Sequence, residues 1–167
     1  MRALILAIFL VATPVAAREI QPLGPGRWAF GLTLGDPFGL SLKHYLRAGN
    51  AWDLYMAFAY GPGFRFGGDW LWTLGNVVRE RKFEVNTYAG VGPFIGAFSG
   101  PCGVRFGIYS NCGSGNAFFG ARVPLGLELL LREAPLSLGL EVGPGIAFYS
   151  GGADFLFDFL LAIRYLF

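Results

Sequence analysis

The chain has 167 residues, the length of one domain, and a formal net charge of +2, which gives no basic footprint for nucleic acid. Apolar residues make up 54%, aromatics 17% and charged residues only 14%, whereas an ordinary soluble domain is about a quarter charged. That composition argues against a soluble globule and for a membrane class.

Residues 1–17 have the layout of a cleavable signal peptide: Met1-Arg2 as a basic start, an apolar stretch from Ala3 to Ala12, and Val15-Ala16-Ala17 as a small-residue cleavage site. No cysteine stands at that junction, which disfavours a lipid anchor. Residues 18–26 are expected to be a short periplasmic leader and residues 27–167 a single domain, with no further periplasmic module. After residue 17 there is no run of about eighteen uncharged apolar residues, the least that a spanning helix needs. The other way to satisfy every backbone polar group in lipid is a closed β-barrel.

The first candidate strand sets Trp28, Phe30, Leu32 and Leu34 against Ala29, Gly31 and Thr33, and the second sets Leu40, Leu42 and Leu46 against Ser41 and Lys43. Next, Trp52, Leu54, Met56 and Phe58 oppose Asp53, Tyr55 and Ala57, while Phe64, Phe66, Trp70, Trp72 and Leu74 oppose Arg65, Gly67, Asp69 and Thr73. The alternation continues through 83–98, 117–131 and 136–149, where Glu84, Arg122, Glu128 and Glu141 fall on the small-residue face. In FLFDFLLAIRYLF, residues 155–167, the odd positions are all apolar or aromatic, and Asp158 and Arg164 share the even face. A two-residue period is that of a strand, not of a helix. The expected fold is all-β, an eight-stranded antiparallel up-and-down transmembrane barrel.

Eight strands leave an interior just wide enough to fill with side chains. The apolar face carries too many Trp, Phe and Leu residues to fit there, so a lipocalin-like cavity is disfavoured. Large apolar residues are placed against lipid, with glycines and charges inside. The connections Arg47–Asn50, Arg79–Lys82 and Arg132–Pro135 are short and charged, whereas 99–116 is long. Short turns belong to the periplasmic rim, so both ends of the barrel chain are expected in the periplasm.

Inward charges in a narrow barrel must be paired. Lys43 and Asp53 are expected opposite each other across a tight turn, and Glu141 beside Arg164 across the last hairpin, with Glu128 one strand further on. An ion-pair plug is favoured over catalysis, and no metal or cofactor is implied. Cys102 and Cys112 lie in the long loop of a chain expected to be exported, which suggests a disulfide; two unpaired thiols are the alternative, and two sulfurs alone are a poor metal site. Arg105, Phe106, Ile108 and Tyr109 lie between them and form the candidate contact surface for an external ligand. His44 is the sole histidine, on the lipid-facing parity. Some small barrels acylate or deacylate lipid A, and the hydrolytic ones place His and Ser two residues apart. Here the residue two beyond His44 is Leu46, and Ser41 lies on the opposite face.

The stretches GDPFGLSLK (35–43), GGDWLW (67–72), RVPLGLELLLREAP (122–135), EVGPG (141–145) and the closing IRYLF resemble small, spirochaete-type bacterial outer-membrane β-barrel proteins of unknown function. The architecture is also similar to that of the best-known eight-stranded outer-membrane barrels. The resemblance implies a Gram-negative outer-membrane location and carries no catalytic residues. The alternating Ile163, Tyr165 and Phe167 resemble the terminal signal recognised by barrel-assembly machinery. The expected role is non-enzymatic, structural or surface-interacting, with outer-membrane lipid, lipopolysaccharide and the assembly machinery as partners. A lipid A-modifying enzyme and a narrow, porin-like pore are the alternatives.

Overall fold

A computed structural model of the chain describes residues 27–46, 49–58, 63–98, 117–150 and 152–167. These residues form nine strands and no α-helix. The strands are β1 (Trp28–Asp36), β2 (Phe38–Tyr45), β3 (Asn50–Phe58), β4 (Gly63–Arg79), β5 (Phe83–Phe98), β6 (Ala117–Arg122), β7 (Leu125–Leu131), β8 (Leu136–Tyr149) and β9 (Gly152–Leu166). All pairings are antiparallel. They run from β4 through β3, β2, β1, β9 and β8 to β6, β7 and β5, and β5 pairs back with β4, closing a ring. Closure leaves no unpaired edge.

β6 and β7 are one stave of the ring interrupted at Val123-Pro124. They keep a single register on β5, with Gly92 opposite Arg122 and Ala89 opposite Leu125. The same holds on β8, where Arg122 faces Gly145 and Leu125 faces Val142. Pro124 has no N–H to give the ladder, yet Gly90 N donates to its carbonyl at 2.8 Å and Val123 N donates to that of Pro144 at 2.8 Å. The ring therefore has eight staves, as the alternation predicts.

The two-residue period decides burial throughout. Along β9 the residues from Phe155 to Phe167 alternate strictly, odd positions exposed and even positions buried. Phenylalanines, leucines and tryptophans cover the outside: Phe30, Leu32, Phe66, Trp70, Ile95, Phe119, Leu127 and Phe155 are among many exposed apolar side chains. In β4 the alternation fails after Thr73. Register shifts at Thr73/Gly75 and Asn76/Val78 extend the strand to Arg79, beyond the Leu74 at which the sequence pattern stops. Each bulge inserts a residue and so changes which face a side chain takes.

The inside is filled by opposing sizes. Tyr55 lies across from Gly67, Tyr88 from Gly126, Phe94 from Gly120 and Phe118 from Gly96. A Cβ at Gly67 or Gly126 would run into the ring of the tyrosine opposite. The small-residue face therefore exists to admit inward aromatics, which cover the neighbouring glycines.

Two rims result. The first residue of β1 and the residue after β9 meet at one of them, where Trp28 N donates to the Phe167 carbonyl at 3.1 Å and Phe167 N to that of Trp28 at 2.9 Å. The tight β4–β5 and β7–β8 connections lie at this turn rim; the opposite end is the loop rim.

Candidate functional site

Among the described residues ten acidic or basic side chains are buried: Lys43, Asp53, Arg65, Asp69, Glu84, Arg122, Glu128, Glu141, Asp158 and Arg164. They point inward because each occupies the small-residue parity of its strand, and they sort into three groups.

Nearest the turn rim, Glu84 accepts from Asn86 Nδ2 at 3.0 Å and from Arg132 Nη2 at 3.0 Å. Asn76 Nδ2 donates to Asn86 Oδ1 at 2.9 Å, so the bulged end of β4 caps this group.

The second group joins β2, β3, β7, β8 and β9. Lys43 Nζ lies 2.8 Å from Glu128 Oε2 and over the rings of Tyr45 and Tyr88. Glu128 Oε1 accepts from Tyr45 Oη at 2.7 Å and from Ser137 Oγ at 2.8 Å. Arg164 Nη2 lies 2.6 Å from Asp53 Oδ2, and Arg164 Nε donates to Ser41 Oγ at 2.7 Å. Ser41 Oγ in turn donates to Asp53 Oδ1 at 2.7 Å.

The third group centres on Arg122. Its guanidinium pairs closely with Asp69, lies 3.0 Å from Glu141 Oε1 off the line of a hydrogen bond, and donates to Asp158 Oδ2 at 3.1 Å. Arg65 forks onto Asp158, with contacts of 2.6 and 3.1 Å. Tyr88 Oη donates to Glu141 Oε2 at 2.8 Å. Arg122 also lies over the ring of Tyr55, 4.4 Å from its centroid. Asp53 and Asp69 are direct cross-strand partners, a like-charge juxtaposition that is unfavourable alone and is relieved by Arg164 on one side and Arg122 on the other. A void of about 10 Å³ in the packed interior is lined by Tyr55, Arg65, Arg122, Glu141 and Arg164 with Ser41 and Asp53. It has room for about one water.

The expected pairings change in detail. Lys43 and Asp53 do face each other in register, but their side chains diverge to Glu128 and Arg164. Glu141 is not the partner of Arg164: the last hairpin pairs Tyr149 with Gly152, which sets Glu141 opposite Leu160 and Arg164 opposite Ser137. A turn over Ser150–Asp154 would instead put inward residues of β8 opposite outward ones of β9, so the parity of the two strands already required the tighter turn. Arg65, Asp69, Glu84 and Arg122 carry inward parity in the sequence. Their partners lie across the ring, and no local rule supplies them.

On the outside, all four tryptophans sit on β1, β3 and β4 towards the turn rim. Trp28 packs on His44 with the rings tilted and their centroids 4.3 Å apart, and it meets Trp52 edge-on at 5.0 Å. His44 is thus packed into an aromatic patch. Ile163, Tyr165 and Phe167 all point outward at the end of β9. Gly68 opens a notch of about 400 Å³ in the apolar surface between Trp52, Leu54, Trp70, Val91 and Pro93. Cys102, Cys112, Arg105, Phe106 and Tyr109 lie outside the described residues, as do the expected signal peptide and leader.

The fold and interior define a class: an antiparallel ring with a charged, packed inside and an apolar outside. No family model, curated protein or solved structure matches the chain.

Proposed function

We propose that this chain is an integral outer-membrane β-barrel protein with a structural or surface-interaction role and no catalytic one. The carrying observation is the inversion of the ring: among the described residues, ten acidic or basic side chains inside, and an exterior of Phe, Leu, Ile and Trp all the way round. Soluble monomers rarely expose contiguous apolar patches beyond a few hundred Å², whereas a lipid-facing barrel needs this distribution. The tryptophans towards one rim support an interfacial belt there. Charged, tight connections on the same rim support its being the periplasmic one, and contact with external ligands or lipopolysaccharide then falls to the loop rim, including 99–116.

A packed interior supports a plugged barrel over a pore: ion pairs such as Lys43–Glu128 and Arg65–Asp158 cross the ring, and the void beside Glu141 and Arg164 has room for about one water. The packing of His44 against Trp28 and Trp52 supports a place in the aromatic belt for that residue. The test is fractionation of an epitope-tagged chain expressed in a Gram-negative host. Sedimentation with the outer membrane, resistance to alkaline extraction and release by detergent are expected. Recovery in the soluble periplasmic fraction would overturn the proposal, and single-channel steps in planar bilayers would overturn the plug.

A further inference from the structure

Within the ring every strand has a neighbour on both sides, but β4 outruns it. The β3–β4 ladder ends at Asn50 opposite Trp72, whereas β4 continues along β5 until Arg79 stands opposite Glu84. From Gly75 to Arg79 the β3 side of β4 has no strand partner among the described residues, so its backbone N–H and C=O groups lie outside any ladder.

Three properties of this hairpin fix its surroundings. Backbone polar groups without partners are not tolerated in hydrocarbon. Leu74, Val77 and Val78, exposed at 66%, 61% and 37%, are disfavoured in bulk water. The tip that follows, Arg79-Glu80-Arg81-Lys82, is exposed throughout, and Arg79 and Arg81 have no carboxylate partner among the described residues. The headgroup layer of a bilayer suits all three.

Charge then selects the headgroup. Every exposed arginine or lysine among the described residues is at the turn rim: Arg27 before β1, Arg79, Arg81 and Lys82 at the β4–β5 tip, and Arg132 after β7. The exposed acids described there are Glu80 and Glu133, with Glu133 3.6 Å from Lys82. At the loop rim the described charges outside the packed interior are Asp36 and Asp154, both half-buried.

We propose that the turn rim, through its projecting β4–β5 hairpin, is a binding surface for anionic phospholipid headgroups. The lipid phosphate accepts from the Arg79 and Arg81 guanidiniums, the Lys82 ammonium and N–H groups of the β4 edge, while Leu74, Val77 and Val78 lie against the first acyl methylenes. This rests on the membrane reading above and adds the lipid class that one rim selects.

Electron spin resonance tests it, on the full chain folded into phosphatidylcholine vesicles at low salt and doped in turn with chain-labelled phosphatidylglycerol or phosphatidylcholine. Lipid held against the barrel gives a motionally restricted component, which should be larger for phosphatidylglycerol. The excess should be lost in high salt, which screens exposed charges, and in a chain carrying Arg79→Gln, Arg81→Gln and Lys82→Gln, while the phosphatidylcholine component stays. Equal components for the two labels overturn the proposal and favour an acidic protein segment at the free edge. An excess that survives the triple substitution overturns the assignment to the hairpin. No restricted component with either label overturns membrane insertion itself, and this proposal with it. The comparison of the two labels on the wild-type chain decides the lipid preference even where the variant does not fold.

Discussion

Arg122 touches three carboxylates on three strands, whereas Lys43 touches one, and Glu128 keeps Tyr45, Ser137 and a 3.8 Å approach of Arg164 without it. Arg122→Met therefore strands Asp69 inside the ring and should cost about 3–5 kcal/mol, the range for breaking a buried pair. Lys43→Met should cost less, about 1–3 kcal/mol, because Glu128 retains hydrogen bonds. Unfolding of both variants by urea in lipid vesicles measures the difference, and equal losses would contradict the hub role of Arg122. Gly126 makes a second case at this scale. A methyl there collides with the Tyr88 ring, so Gly126→Ala should cost about 1–3 kcal/mol by overpacking. The same substitution in a Tyr88→Ala background should cost far less. An unchanged cost in that background would show that the crowding lies elsewhere.

At the scale of the element, β9 presents one face to each environment. Arginine placed in turn at Phe155, Phe157, Phe159, Leu161 and Ile163 should destabilise by about 2–4 kcal/mol near the middle and about 0–1 near the ends, the depth profile of a bilayer. A flat profile would count against a membrane-spanning β9. Removing Phe167 deletes the two backbone bonds to Trp28 and the last outward aromatic, so pulse-chase assays should show slowed assembly. Normal insertion of the truncated chain would disprove an assembly signal there. Elements like β9 were legible in the sequence because Asp158 and Arg164 mark one parity without exception. The end of β4 was not, since two bulges change the parity just where Gly75, Asn76 and Val77 replace the pattern. The register of the last hairpin was legible through parity alone, since composition spread the turn over Ser150–Asp154 whereas the ladder resumes at Gly152. Most of the site was half legible. Every buried charge has inward parity, but Lys43 finds Glu128 and Arg65 finds Asp158 across 85 and 93 residues of chain, contacts that exist only once the ring has closed.

For the whole molecule, closure and the filled interior act together. A sheet without edges and with cross-ring ion pairs should resist detergent until strongly heated. On gel electrophoresis in dodecyl sulfate the unheated chain should migrate ahead of the boiled one, and identical mobility would argue against a persistent closed barrel. The facing aspartates of β3 and β4 bear on how such an object is made. Asp53 and Asp69 oppose each other within a single hairpin, while the arginines that reconcile them arrive from β9 and β6. That hairpin is thus poorly stable alone and gains its main relief from strands distant in the chain. Partial sheets are penalised and the complete circle is rewarded, so folding should be strongly cooperative. Half-built intermediates, the species most prone to pair with one another, should then be short-lived.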